Sequence, residues 1–343
     1  MFNKIKMVIT LFLTIISLTN CFEISDNTKV KKNGSLIKTI IFTDDSSTVK
    51  KVLCNKNETA LQIPTDESWK QTINITGTDS SKISHIATRE FNNYSELNQS
   101  FKIDGDSIYK IKPEVTLKRK FQWFYTYYKY KQIYPYFGFK RFVNINEYLT
   151  RDELHLYYLS SDSLKSTEDL IEKWHKENAF TYFKIEFSKA LTNLQNPEIQ
   201  LDKFDDIEDT VLTIIENIVE LNDIQESTTQ IIDICEQKFR TKEIKLIEDP
   251  LHDILFELQK RTISIISLVG EFNVEVEMPG IILSTNSTII EGNTVRWEFD
   301  HDRFSLEDFE MTVESRSLNA WAIYTTIIIF LGLILLVYLK SKK

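Results

Sequence analysis

The 343-residue chain contains only 8 glycines, 6 prolines, 5 histidines and 3 cysteines. Each shortage excludes a class of chemistry. Glycine lets a backbone approach a phosphate closely, and with so few of them and no nucleotide fingerprint, a phosphate-cradling loop has no support. Gly-x-Ser-x-Gly is missing too, and with it the nucleophile turn of the common serine hydrolases. No Cys-x-x-Cys occurs, and no two of His85, His155, His175, His252 and His301 stand three or four residues apart. The spacings of a thiol redox site, a zinc knuckle or a helical metal site are therefore missing, and neither metal nor cofactor is expected. Scarce Gly and Pro beside abundant Ile, Lys and Asn suit an ordinary folded domain better than a linker or stalk.

Basic charge is in short supply as well: 41 Lys and Arg face 50 Asp and Glu, a formal net charge of −9. Lys4, Lys6, Lys340, Lys342 and Lys343 lie in the two termini, so the body of the chain is more acidic still. Such a field repels phosphate backbones, and nucleic acid is not an expected partner. What the chain does have is two apolar ends. Trp321 to Leu339 carries no charge and, at about 1.5 Å per helical residue, reaches roughly 28 Å, close to the ~30 Å hydrocarbon core. Trp321, Tyr324 and Tyr338 sit at its ends as interfacial rings, and the lysines after it form a basic stop. That pattern predicts a transmembrane helix over 319–339, a cytoplasmic tail at 340–343 and an extracytoplasmic remainder. At the other end, Lys4 and Lys6 precede the apolar run Met7 to Leu18, which is too short to span and reads as a signal peptide over 1–20. Leu18-Thr-Asn-Cys21 resembles the lipobox of bacterial lipoproteins, with Asn20 departing from the small residue usual there. The resemblance makes Cys21 the expected lipidation site and gives the domain two tethers.

Between the anchors the hydrophobic period changes twice. Leu36–Phe42, Val49–Leu53, Gln71–Ile75 and Ser107–Lys112 read as strands in a strand-rich part over 21–143. That part ends in an aromatic block, Phe121 to Phe139, interleaved with Lys118, Arg119, Lys120, Lys129, Lys131, Lys140 and Arg141. If Phe121 to Tyr130 is one strand, Phe121, Trp123, Tyr125 and Tyr127 share a face and Phe124, Tyr128 and Tyr130 the other. The default reading is a central strand. The functional one is a lipid or sugar groove with Trp123, Tyr125, Tyr127 and Tyr128 as its ligand-binding aromatics. From 144 to 260 the pattern is helical: a capping box is expected at Ser166 and Asp169, and apolar stripes run through Ile207, Val211, Ile214, Ile215, Ile218 and Leu221, through Ile231, Ile232, Cys235 and Phe239, and through Leu251, Ile254, Leu255 and Leu258. Strands return in a membrane-proximal part over 261–318, with Phe272, Val274, Val276 and Met278 expected inward and a further strand from Gly292 to Phe299. The fold class is thus α+β, a strand-rich extracytoplasmic domain with a helical middle section and one C-terminal transmembrane helix.

With Cys21 set aside, Cys54 and Cys235 remain as the pair a disulfide could join, although Cys235 on its helix stripe equally reads as a small core residue. Asp300, His301, Asp302, Glu307, Asp308 and Glu310 cluster, but without the glycine turn and spacing of a calcium loop they read as a solvated turn. Asn-x-Ser/Thr triplets at Asn33, Asn57, Asn74, Asn93, Asn98 and Asn286 would be glycan acceptors in a eukaryotic surface protein. Met278-Pro-Gly280, Thr285-Asn286, Gly292-Asn293 with Val295 and Trp297, Glu314-Ser-Arg316 and Asn319-Ala-Trp321 resemble the membrane-proximal part of bacterial envelope proteins related to the LppM-type lipoprotein domain. The resemblance covers roughly 262–339, and more loosely Arg89 to Leu154. It implies an envelope protein that handles lipid or another envelope component, with no catalytic residues to carry over. A non-catalytic, membrane-anchored envelope (lipo)protein is the resulting expectation, with the membrane and a lipid or envelope-protein ligand as partners. The rivals are a membrane-tethered hydrolase using carboxylates such as Glu271, Glu275 or Asp300, and a type I receptor or adhesin.

Overall fold

The computed structural model describes residues 22–45, 49, 64, 66–76, 82–101, 111–137, 141–159, 165–194, 204–218, 224–240, 242–266, 270–300, 303 and 306–341. The signal segment, Cys21, Cys54, His301, Asp302 and most of the strands expected at Val49–Leu53 and Ser107–Lys112 lie outside them. The chain divides into two compact units, one made of residues 1–137 and 268–343 and the other of residues 138–267.

The first unit opens with β1 (Phe22–Val30), β2 (Leu36–Asp45), β3 (Lys70–Thr76), β4 (Lys82–Phe91), the short helix α1 (Tyr94–Ser100), β5 (Glu114–Phe121) and β6 (Tyr125–Tyr134). The second unit holds α2 (Arg151–Leu159), α3 (Lys165–Leu194), α4 (Phe204–Ile218), α5 (Ile224–Phe239) and α6 (Glu248–Ile266). The chain then returns to the first unit with β7 (Gly270–Glu277), β8 (Ile281–Thr285), β9 (Ile289–Glu291), β10 (Thr294–Asp300), β11 (Phe309–Leu318) and α7 (Ala320–Ser341). The class is α+β, as the change of period predicts.

The strands form a seven-stranded sheet in the order β3-β4-β2-β1-β7-β10-β9 and a four-stranded sheet in the order β5-β6-β11-β8. All neighbours are antiparallel except β1 and β7, which run parallel with Phe22 opposite Gly270. Side chains alternate between faces along a strand, so every second residue of β1, β2, β7, β6 and β11 is buried. Phe272, Val274, Val276 and Met278 point inward as predicted, and removing each such side chain from water stabilises the fold by about 1.5–3 kcal/mol. The two inner faces meet through Tyr134, whose ring lies 6.1 Å from Phe299, and through a polar cluster described below. The chain passes from one sheet to the other at Met278–Gly280. Gly280 has φ +88°, a region only glycine occupies without strain, and a Cβ there would collide with the Arg316 carbonyl of β11.

Direction along the sandwich is set by these cross-sheet contacts. The Leu318–Tyr125 rung abuts α7, and the Phe309–Tyr134 rung is the far end. Tyr128 donates from its hydroxyl to the Lys32 carbonyl at 2.8 Å, so the turn after β1 lies toward α7. The Tyr134 hydroxyl donates to Asp26 at 2.6 Å, so the start of β1 lies toward the far end.

In the second unit the predicted stripes form one core: Ile207 and Val211 of α4, Ile231, Ile232 and Cys235 of α5 and Leu251, Ile254, Leu255 and Leu258 of α6 pack with Phe183, Phe187 and Leu191 of α3. The helical stretch predicted from 144 opens as a 3₁₀ turn at Ile145–Glu147, and the α-helix proper, α2, follows at Arg151. The capping box stands at Thr150 and Glu153, whose carboxylate accepts from the Thr150 backbone N–H at 2.8 Å while the Thr150 hydroxyl accepts from Glu153 N–H at 3.3 Å. α3 already begins at Lys165, which places Ser166 inside its first turn and not at its cap.

Candidate functional site

Two places in the first unit concentrate side chains that folding alone does not call for. One is inside the sandwich. Asp26 and Thr28 of β1, Lys38 of β2 and Tyr130, Gln132 and Tyr134 of β6 are all buried, and Lys38 is fully so. The Lys38 ammonium pairs with Asp26 and donates to Thr28 Oγ1 at 2.8 Å and to Gln132 Oε1 at 3.3 Å. Gln132 donates to Asp26 Oδ2 at 3.0 Å, and the Tyr130 hydroxyl donates to Gln132 Oε1 at 2.6 Å. Burial pulls the Lys38 pKa down against the attraction of Asp26, and burial beside that carboxylate pushes both tyrosines well up. Every member has a partner in the network, so it pins one sheet to the other at a single register. It is an internal clamp.

The second place is where the domain meets α7. β5 and β6 are joined by a two-residue turn, Trp123-Phe124, closed by Gln122 N–H donating to the Tyr125 carbonyl at 2.8 Å. The expected single strand from Phe121 to Tyr130 is therefore broken, because the block is the two arms and apex of a hairpin. Two-residue hairpins favour Asn-Gly and its relatives, which tolerate positive φ, and neither residue here takes positive φ. The turn is held from outside. Asn319 is the one residue between β11 and α7; its side-chain amide donates to the Gln122 carbonyl at 2.8 Å and the Trp123 carbonyl at 3.3 Å, and its backbone N–H donates to the Phe124 carbonyl at 2.8 Å. Thr126 donates back to Asn319 Oδ1 at 2.9 Å. The indole N–H of Trp123 reaches Thr326 Oγ1 of α7 at 2.9 Å, and the Trp321 ring lies 5.3 Å from Trp123 and stacks on Phe121 at 6.1 Å. Even so, Phe121, Trp123, Phe124, Trp321 and Tyr324 all remain exposed. α7 itself has a mean hydropathy of 2.5 with 6% of its apolar window buried, and among the described residues it is the helix long and apolar enough to cross a membrane.

The four sequence-predicted aromatics do not form one wall. Trp123 is at the hairpin apex, and Tyr125 and Tyr127 lie on the half-exposed outer face of the four-stranded sheet with the Arg316 guanidinium 4.9 Å from the Tyr125 ring. Tyr128 is on the opposite, buried face. Cys235 is buried in the helical core, where burial pushes its thiol up to about 11; its suggested partner Cys54, like the lipidation candidate Cys21, is outside the described residues. In the acidic cluster Asp308 accepts from Tyr136 N–H at 2.7 Å and Glu310 pairs with Lys131 at 2.5 Å. Glu275 pairs with Arg296 at 2.7 Å and stands four residues from Glu271 on one strand, about 13 Å between Cα atoms. A glycosidase-type carboxylate pair stands closer than that. Asp300 of β10 is the strand partner of Glu271, which brings these two predicted residues side by side with Glu271 exposed. Several asparagines of the Asn-x-Ser/Thr triplets are structural. Asn93 accepts from Glu96 N–H as the cap of α1, Asn98 exchanges two hydrogen bonds with the Val115 backbone, and Asn286 ties β8 to β11 through Glu310 and Thr312. The sequence resemblance includes Asn319 but assigns it no role, although a lone polar residue between a strand and an apolar span is a visible signal.

No family model matches the chain, and no curated protein matches it. Among solved structures it is similar to the NMR structure of the folded domain of LppM from Mycobacterium tuberculosis. The two share 9% identity over 87% of this chain and 91% of that one, with a TM-score of 0.29. A likeness this loose transfers neither a site nor an activity.

Proposed function

We propose that this chain is a single-pass, membrane-anchored envelope protein whose ectodomain is a non-catalytic binding module, working at the lipid surface on a lipid or another envelope component. The observation that carries the reading is α7, an exposed apolar helix joined to a core strand by one residue, Asn319. Lys340, Lys342 and Lys343 after it favour a cytoplasmic C-terminus and an outward domain. The envelope setting is supported by the sequence resemblance over 262–339. For the ectodomain, a binding role is favoured over hydrolysis because Glu275 is neutralised by Arg296 and Glu271, although it stands opposite Asp300, is exposed.

Two measurements test it. Protease added to intact spheroplasts should remove the ectodomain and leave a short membrane-protected fragment; complete protection would reverse the orientation. Mass spectrometry of molecules that copurify with the detergent-extracted full chain should reveal a lipid or envelope protein enriched over the bulk membrane. Recovery of bulk lipids alone, in bulk proportions, would remove the binding role.

A further inference from the structure

The hairpin apex is built from the wrong residues for a turn and the right ones for a bilayer interface. Trp and Phe fill the two positions where a solvated hairpin carries Asn, Asp or Gly, and the chain supplies Asn319 from another element to hold the backbone they do not favour. Trp123 is bonded to Thr326, the seventh residue of α7, so at about 1.5 Å per residue the hairpin runs beside the helix for roughly 9 Å. Because one residue separates β11 from α7, the domain has no linker on which to stand away from the membrane that α7 enters. Phe121, Trp123 and Phe124 are 52%, 45% and 43% exposed at the place where that membrane begins. Amphipathic rings such as Trp gain most at the boundary between headgroups and acyl chains.

Charge points the same way. The chain is acidic overall at −9, yet β5 turns Lys118 and Lys120 outward immediately behind the apex. Lys118 stands directly across from Lys129 on the same face, a like-charge rung that weakens a sheet in isolation. Lys129 is neutralised by Glu314 at 2.7 Å on its other side, which leaves Lys118 as the surplus charge. Lys120 stands opposite Tyr127, whose other neighbour is Arg316. At about 3.3 Å per residue, Lys120 is roughly 3 Å and Lys118 roughly 10 Å above Phe121, the depth range of phospholipid headgroups when the rings sit at the interface.

We propose that the β5–β6 hairpin is a second membrane-contact element: Phe121, Trp123 and Phe124 enter the bilayer interface beside α7, and Lys118 and Lys120 receive the headgroups of anionic phospholipids. This rests on the reading of α7 as a membrane span. The hairpin then fixes the stance of the ectodomain and gathers anionic lipid around the anchor.

The test uses the full chain reconstituted into vesicles of phosphatidylcholine with phosphatidylglycerol. A photocrosslinking amino acid replaces Phe124 in one preparation and Phe330, in the middle of α7, in another. Lipid adducts are expected at both positions. At position 124 phosphatidylglycerol should be enriched several-fold over its share of the vesicle, and Lys118→Gln/Lys120→Gln should return the adducts to that share. Adducts at 330 without adducts at 124 would overturn the proposal and leave the span intact; adducts at neither would remove the span and the proposal with it. Adducts at 124 with no enrichment, or with enrichment that survives the double substitution, would overturn the headgroup assignment.

Discussion

Lys38 is fully buried, and its ammonium meets Asp26, Thr28 and Gln132. A buried ion pair adds little net stability compared with an apolar pair of the same volume, but removing one partner strands the other charge. Lys38→Met is therefore expected to destabilise the fold by about 3–5 kcal/mol, whereas Asp26→Asn/Lys38→Met, which leaves no charge behind, should recover most of that loss. Thermal unfolding of the detergent-solubilised full chain, followed by tryptophan fluorescence, measures the difference. Equal losses in the single and double variants would show that packing, not charge, governs the site. Single positions of this kind were the least legible in the sequence. Lys38 lies within Leu36–Phe42, a run whose period correctly predicts a strand, but its burial depends on Gln132, distant along the chain, arriving on the opposite sheet.

At the scale of elements, legibility followed locality. Strands whose inward residues are all apolar, such as β7, and helices with a continuous stripe, such as α4 and α6, were readable because the pattern lies within the segment. β11 was passed over because two of its buried positions are Ser315 and Ser317, and the serine at 315 is satisfied only by the Pro279 carbonyl of another element. The parallel pairing of β1 with β7 joins segments on either side of the whole helical unit, a register that no local window contains. The β5–β6 hairpin was misread for a related reason. Its apex has no turn residue because Asn319 supplies the turn's hydrogen bonds. Asn319→Ala should therefore cost about 1–2 kcal/mol, the value of the lost side-chain bonds, and should speed amide exchange at Gln122 to Tyr125 more than elsewhere in the sheet. Hydrogen exchange on the full chain checks this, and unchanged protection at the apex would show that the ring contacts with Trp321 hold the hairpin instead.

For the molecule as a whole, the proposed roles of α7 and the hairpin would put one end of the sandwich at the membrane. The direction of β1 then sets a condition on the other terminus. Its last residues and the turn beyond them lie toward α7, while Phe22 is at the far end, about 30 Å away along the strand. Cys21 is covalently next to Phe22, and one trans peptide advances the chain by only about 3.8 Å. A lipidated cysteine must sit among the headgroups. With β1 paired from its first residue, Phe22, the start of the strand stands well away from the end of the sandwich that carries α7, so a lipid on the residue before it and the proposed span would compete for the posture of the sheet. Palmitate labelling of the full chain is expected to show no Cys21-dependent signal. A label abolished by Cys21→Ala would instead mean that the first rungs of β1 peel away from β2 and β7, trading backbone hydrogen bonds at the centre of the seven-stranded sheet for a second grip on the membrane. The height of a single strand thus decides whether the N-terminus behaves as a free end or as an anchor line.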